Sequence, residues 1–242
     1  MTISKKIFCS LQFKSKSSFE ENLKRLKILL SKTPEGSISV APEVCLTGFS
    51  YDRFDEAANF SKVALNEILP LTKNRTFAFT LIEKRGKKFY NVAKVIHNGK
   101  IVYEQPKVKL FKLGGETDYF TAGKLEDIKI FTIEDLKVAI IICFELRFIE
   151  IWQKIRGVDL ILLPAMWGKL RKKHFEKLSD ALALANQCFL ITSNSANLDM
   201  AKGSAIIDPF GNAYRDDRKN LLLKECNLKD IRKMRRYMDI GL

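Results

Sequence analysis

Apolar and polar residues alternate along the chain with two different periods. From Phe19 to Ser31 large apolar residues recur every three or four positions, which predicts an amphipathic helix. Either Ser17 or Ser18, each followed by a glutamate three residues later, is suited to cap its start. Residues 136–142 are almost wholly apolar and β-branched, a composition typical of a strand buried on both faces. Both helices and deeply buried strands are therefore expected.

The same patterns predict elements along the rest of the chain. Further helices are expected at residues 55–69, 147–156 and 173–187 and near the C-terminus, and strands at residues 7–13, 37–41, 76–82, 89–97, 100–105, 158–164, 188–193, 203–207 and 221–226. Asn98-Gly99 between two strand patterns is a strong hairpin signal, and the Pro and Gly of residues 208–212 predict a turn. Helices alternating with buried strands indicate a layered α/β architecture.

Composition supports one folded domain over residues 1–242. The chain is 46% hydrophobic, contains no apolar run long enough to span a membrane, and has no linker rich in Pro, Gly or Ser. The N-terminal residues resemble a first strand more than a signal peptide, so we expect a cytoplasmic protein. The five cysteines are widely spaced, which argues against a disulfide framework or a zinc site.

The charge is strongly positive: 42 Lys and Arg against 28 Asp and Glu give a net charge of +14. This excess can indicate binding to nucleic acid or an acidic partner, or it can simply be a lysine-rich surface. Two local clusters, residues 169–173 and 232–236, stand out from a dispersed background. Neither carries the pattern of an RNA-recognition or helix-turn-helix motif, so nucleic acid is not the favoured partner.

Cys143 is a candidate nucleophile because it ends a buried strand pattern and precedes a predicted helix. The N-terminus of such a helix would lower the pKa of the thiol, and its free N–H groups could bind an oxyanion. Alternatively, Cys143 is only a small buried apolar residue. Since the chain has just two histidines, His97 and His174, a nucleophile here needs a base other than histidine.

Glu43 and Lys107 also follow predicted strands. Apolar neighbours would raise the pKa of Glu43 and suit it to act as a general base, although it could equally be an exposed loop acid. The Lys107 ammonium could stabilise a tetrahedral oxyanion, but in a lysine-rich chain this residue alone is not specific.

Taken together and in order, five segments resemble those of the nitrilase, or carbon–nitrogen hydrolase, superfamily. The similarity extends over residues 7–212. Cys143-Phe144-Glu145-Leu146-Arg147-Phe148 is similar to the nucleophile signature of that family. The other four segments are Pro42-Glu43 with Thr47-Gly48-Phe49, Lys107 to Phe111 with Gly115-Glu116 and residues 119–123, Leu163 to Trp167, and Asp208 to Gly211.

The resemblance implies a four-layer αββα sandwich that assembles into a homodimer or larger homo-oligomer and needs no metal or organic cofactor. It also implies that Cys143 is the nucleophile, Glu43 the base, Lys107 the oxyanion partner and Glu116 a second, positioning acid. The backbone N–H of Phe144 would complete the oxyanion hole. The implied reaction is hydrolysis of a small linear amide through a cysteine thioester.

The substrate is left open by the sequence. The residues after Cys143 most resemble omega-amidase-like members, in which Arg147 would bind a substrate carboxylate; otherwise Arg147 is a structural ion pair. Trp167 could line the acyl pocket or fill the core. An N-carbamoyl amine or amino acid is the alternative substrate, and an inactive relative that binds nucleic acid or an acidic partner is the non-enzymatic alternative.

Two departures from the family pattern bear on the site. Lys109 occupies a position where relatives commonly have histidine, so a contact around the site should differ. Leu182 and Ala185 replace an Arg and a Glu that look like a charged pair. Because both members change to apolar residues, no charge is left unpaired, and we expect a neutral structural replacement.

Overall fold

The computed structural model describes residues 5–242, in which twelve strands form two sheets. The first part of the chain contains β1 (Lys5–Leu11), α1 (Phe19–Ser31), β2 (Ile38–Val40), α2 (Phe54–Ile68), β3 (Thr76–Arg85), β4 (Lys88–His97) and β5 (Lys100–Pro106). The second part contains α3 (Glu116–Tyr119), β6 (Phe131–Ile133), β7 (Leu136–Ile140), α4 (Ile149–Lys154), β8 (Leu160–Ala165), α5 (Lys172–Asn186), β9 (Phe189–Asn194), β10 (Ala205–Ile207), β11 (Ala213–Arg215), β12 (Leu221–Asn227) and α6 (Lys229–Tyr237).

Each sheet has six strands and a parallel centre. The strand orders are β12-β1-β2-β3-β4-β5 and β11-β10-β9-β8-β7-β6. Strands β1, β2 and β3 are parallel neighbours, as are β7, β8 and β9, and the outer strands pair antiparallel. β12 therefore returns from the end of the chain to close the edge of the first sheet.

The alternation of side chains along β3 explains the layers. Phe77 and Phe79 belong to the apolar cluster that contains Leu26 and Leu30 of α1, whereas Ala78 points to the opposite side, toward the core shared with the second sheet. Helix α5 covers the second sheet through Phe175 and Leu182. The order of layers is thus helices, sheet, sheet, helices, and the predicted four-layer αββα sandwich is confirmed.

Most predicted elements are present, with one correction near Cys143. The hairpin at Asn98-Gly99 is confirmed, with φ of 51° and 75° at its two central residues. The expected strand 136–142 ends at Ile140, and the expected helix 147–156 is only α4. A five-residue 3₁₀ turn, Cys143–Arg147, comes before it and ends at Phe148, whose extended backbone breaks the helix. Over residues 5–242, no helix has both the length and the apolar character needed to cross a membrane.

Candidate active site

The carboxyl ends of β2, β5, β7 and β8 meet at one edge of the sandwich. Glu43 follows β2, Lys107 directly follows β5, and Cys143 follows β7. The two sheets are tied together at this edge because the backbone N–H of Glu43 donates to the carbonyl of Ala165, 3.2 Å away in β8. Residues far apart in sequence are therefore held in one place by main-chain geometry.

Lys107 lies at the centre of a buried charge cluster. Its Nζ donates to Oε1 of Glu43 and to Oε1 of Glu116, each at 2.7 Å, and the side chains of Lys107 and Glu43 have no exposed surface. Burial opposes the ammonium charge, but the two carboxylates outweigh it and raise the pKa of Lys107. Lys107 is therefore a fixed cation, and we call these three residues the carboxylate–lysine cluster.

Glu43 accepts hydrogen bonds on both carboxylate oxygens. Besides Lys107, Asn91 Nδ2 donates to Oε1 at 2.8 Å, and the Met166 N–H donates to Oε2 at 3.1 Å. All three partners are donors, so the arrangement fits an ionised carboxylate. Because the side chain is wholly buried, the alternative that Glu43 is an exposed loop acid is wrong.

Glu116 begins the short helix α3, directly after Gly115. Gly115 has a φ of 78°, a conformation that glycine adopts without strain. The second oxygen of Glu116 accepts the N–H of Phe111 at 3.1 Å, which fixes the loop next to Lys107. Burial, partly offset by Lys107 and reinforced by the charge of Glu43, raises the pKa of Glu116.

Cys143 starts the 3₁₀ turn with a φ of 46° and is 7% exposed. Burial, and then the negative charge of Glu43, raise the pKa of the thiol well above its ordinary value, while Lys107 and the Met166 amide oppose them. The expectation that a helix N-terminus lowers this pKa is wrong: the following turn is only five residues long, and a carboxylate faces the thiol. Cys143 nevertheless lies within the field of Glu43, Lys107 and Glu116, as predicted.

Glu145 is a buried acid whose importance the sequence analysis did not recognise. One oxygen accepts the N–H of Val108 and the other accepts the N–H of Ile142, both at 2.6 Å. Its side chain thereby joins the segment before Cys143 to the segment after Lys107. Burial raises the pKa of Glu145 to about 7, against the effect of these two donors. The available signal was an acid directly after a wholly apolar run.

A small cleft opens over Cys143. Its lining residues are Phe111, Cys143, Phe144, Arg147, Met166, Trp167, Gly168 and Arg171. Trp167 both lines the cleft and packs on Phe175 of α5, with ring centroids 5.4 Å apart, so its two predicted roles coexist. The predicted candidates Phe144, Arg147 and Trp167 are thus gathered around the sulfur.

The positions that depart from the family pattern have clear environments. Lys109 pairs with Glu150 at 2.8 Å and lies over the Phe148 ring, outside the carboxylate–lysine cluster. Leu182 is fully buried in the core, whereas Ala185 is exposed on α5. Apolar packing has thus taken over at Leu182, and the neutrality of the replacement stays a prediction.

Comparison with known proteins adds independent observations. Residues 9–236 match the model of the family described as carbon–nitrogen hydrolase. The chain is 25% identical to 2-oxoglutaramate amidase of Bacillus subtilis over 234 residues, covering 91% of this chain and 90% of the relative. It is also 25% identical to deaminated glutathione amidase of Escherichia coli O157:H7 over 246 residues, covering 95% and 93%.

A carbon–nitrogen hydrolase from Helicobacter pylori G27 has a closely similar solved structure. The TM-score is 0.87 at 19% sequence identity, and the superposition covers 97% of this chain and 93% of the other. At this level of identity, the likeness establishes the fold.

Proposed function

The chain belongs to the carbon–nitrogen hydrolase family, and from this premise we propose that it hydrolyses a small linear amide through a thioester on Cys143. The observation that carries the proposal is the buried carboxylate–lysine cluster, whose charges act on the Cys143 thiol at the end of the cleft. An acid, a fixed cation and a sulfur are the groups needed for nucleophilic acyl transfer without histidine.

The raised pKa of Cys143 means that its thiol is neutral at rest and must lose its proton as it attacks. We assign Glu43 as the acceptor of that proton. The sulfur then bonds to the amide carbon, and the carbonyl oxygen becomes negative. Glu43 passes the proton to the departing nitrogen, ammonia leaves, and a thioester remains. Glu43 next takes a proton from water, which adds to the thioester, and collapse returns the proton to sulfur and releases the acid.

Lys107 and the backbone N–H of Phe144 are assigned to the developing oxyanion. Lys107 supports this role because its charge is fixed by two carboxylates and its side chain is inaccessible to water. Glu116 is assigned to positioning: it holds Lys107 with one oxygen and the Phe111 backbone with the other.

The substrate we propose is a short amide whose acyl group carries a carboxylate, bound by Arg147. Arg147 lines the cleft and has no carboxylate within 4 Å among residues 5–242, which supports a guanidinium available to a substrate over a structural ion pair. Its guanidinium stacks over Trp167, 4.9 Å from the ring centroid, and donates to Nδ1 of His174 at 3.0 Å. The names of two relatives, a 2-oxoglutaramate amidase and a deaminated glutathione amidase, agree with an acidic amide.

The decisive experiment measures ammonia release from a panel of amides and records intact protein mass during turnover. Wild type is expected to accumulate an acyl adduct, and Cys143→Ala to show neither adduct nor turnover. Cys226→Ala is the matched control, because it removes another buried thiol, one that lies on β12. Turnover by Cys143→Ala would disprove the assignment of the nucleophile.

Three further proposals concern the whole protein: that residues 1–242 form one domain, that it acts in the cytoplasm, and that it is a homo-oligomer. An exposed apolar patch supports the last: Leu184 of α5 is 46% exposed, Phe210 is 40% exposed, and Gly211 lies against Leu184. Sedimentation velocity should therefore give a mass of at least two chains.

A further inference from the structure

Arg171 lies in the cleft although its sequence context, Lys169-Leu170-Arg171-Lys172-Lys173, resembles a solvated basic surface. It lines the same space as Cys143 and Arg147. Its guanidinium stacks over the Phe111 ring, 5.2 Å from the centroid, and its carbonyl accepts the indole N–H of Trp167 at 2.9 Å. The side chain and backbone of Arg171 are thus both attached to walls of the cleft.

Two guanidinium groups therefore share one small cleft without a compensating acid. Neither Arg147 nor Arg171 has a carboxylate within 4 Å among residues 5–242, whereas Lys109 pairs with Glu150 and Lys172 pairs with Asp217. Burial, and then the charge of Arg171, lower the pKa of Arg147, in keeping with two cations that line the same cleft. Stacking on aromatic rings leaves the N–H edges of a guanidinium free to donate.

Gly168 provides the space that Arg171 occupies. A β-carbon at this position would lie 3.0 Å from Nη2 of Arg171. The backbone of Gly168, with φ of −69° and ψ of 147°, is accessible to any residue, so it does not itself require glycine. A side chain at this position would therefore make the Arg171 guanidinium shift slightly.

We propose that Arg171 is a specificity-determining residue which, with Arg147, forms a two-guanidinium subsite for the carboxylate at the far end of a short acyl group. The inference rests on the proposed amidase function and adds a second recognition residue to it. Two planar guanidiniums offer enough N–H donors to occupy both oxygens of one carboxylate. An amide without this charge would leave the two cations unneutralised in a confined space.

The test compares glutaramate, which carries a carboxylate, with valeramide, a neutral amide of the same chain length. In Arg171→Gln we expect kcat/KM for glutaramate to fall about 10- to 100-fold, mainly through KM, because one set of charge-assisted hydrogen bonds is lost. The kcat/KM for valeramide should stay within about twofold of wild type, since no carboxylate is bound. Gly168→Ala should give a smaller loss of the same kind, because it displaces the guanidinium without removing its charge.

Lys173→Gln is the matched control for net charge, since Lys173 is exposed on the same segment and does not line the cleft. Lys173→Gln should leave kcat/KM unchanged for both amides. Equal losses for glutaramate and valeramide in Arg171→Gln would show a purely structural role and overturn the inference, as would unchanged kinetics with both.

Binding of glutarate, the expected product acid, separates this inference from the proposed function. Trp167 stacks on Arg147, so its fluorescence can report occupancy of the subsite at constant ionic strength. Suppose that wild type hydrolyses neither amide, but that Arg171→Gln binds glutarate more weakly than wild type does. This result would support the subsite and refute the amidase proposal. Hydrolysis of both amides by wild type, together with glutarate binding that Arg171→Gln leaves unaffected, would support the amidase proposal and refute the subsite.

Discussion

The titration of Glu145 should make the stability of this protein fall as pH rises from acidic values toward neutrality. The side chain is fully buried, and burial raises its pKa to about 7 in the folded chain, whereas the ordinary value is about 4.3. The pKa of Glu145 is higher in the folded chain than in the unfolded chain. The contribution of Glu145 to the free energy of unfolding is therefore complete below the unfolded-state pKa and is lost as pH rises to the folded-state pKa. The slope is about 1.4 kcal/mol per pH unit, so about 2 kcal/mol disappears between about pH 5.5 and pH 7.

Glu145→Gln removes this titration but keeps the size of the side chain. The new amide NH₂ must face one of the two donors that Glu145 now accepts, Val108 N–H or Ile142 N–H. This conflict costs about 1–3 kcal/mol and does not depend on pH. The variant should therefore be less stable than wild type at acidic pH, with a deficit that shrinks by about 2 kcal/mol, to near zero, from about pH 5.5 to pH 8.5 because only wild type loses stability.

Urea unfolding at several pH values measures this difference. Glu126→Gln is the control, because Glu126 is an exposed acid and its loss removes the same formal charge; its stability should follow the wild-type trend. A deficit of Glu145→Gln that is constant with pH would refute the reasoning. A deficit that grows with pH would show that the two amide donors outweigh burial and lower the pKa instead.

Two further variants probe the carboxylate–lysine cluster. Glu43→Gln should lower kcat by about 10²- to 10⁴-fold in the ammonia-release assay, because the base is gone and the new NH₂ would face donors only. An unchanged kcat would exclude Glu43 as the base. Glu126→Gln is again the control. Lys107→Met should reduce the free energy of unfolding by about 3–5 kcal/mol, because it leaves two buried carboxylates unpaired, and the loss should lessen at acidic pH as Glu116 takes up a proton. Urea unfolding of Lys107→Met beside Lys109→Met, which breaks a partly exposed pair, checks this, and equal losses in the two variants would contradict it.

Elements with a strong local signal could be predicted from the sequence, whereas some short elements were missed: β6 and β11 were, although the equally short β2 and β10 were predicted. The helix Phe19–Ser31 and the hairpin at Asn98-Gly99 follow from spacing and turn chemistry, and both are present. Strands β6 and β11 have three residues each, too few to display a period, and their pairing partners decide them. Predicted bounds failed at Cys143, where Glu145 accepts both the nearby Ile142 N–H and the distant Val108 N–H, and the second contact is not contained in any local pattern.

The site shows the same division between local and long-range causes. Cys143 could be chosen because it ends an apolar run, but the meeting of Glu43 and Lys107 depends on how the two sheets pack, which no local pattern contains. Family resemblance supplied that grouping. Arg171 was missed because its neighbours in sequence are lysines, and only the fold brings it over Phe111.

The buried cluster suggests why two carboxylates accompany one lysine at a site that lacks histidine. In the resting site Lys107 is paired with both Glu43 and Glu116, and burial, reinforced by the charge of Glu43, keeps the Cys143 thiol protonated. When Glu43 takes the thiol proton, as we propose, the negative charge of Glu43 moves to the sulfur and, as the sulfur attacks, to the substrate oxygen. The ammonium of Lys107 is then balanced by Glu116 alone, so more of its field is available at the moment when the substrate oxygen becomes negative. Proton transfer and oxyanion stabilisation are thereby coupled through a single lysine, and Glu116 keeps that lysine in position while its other partner is neutral.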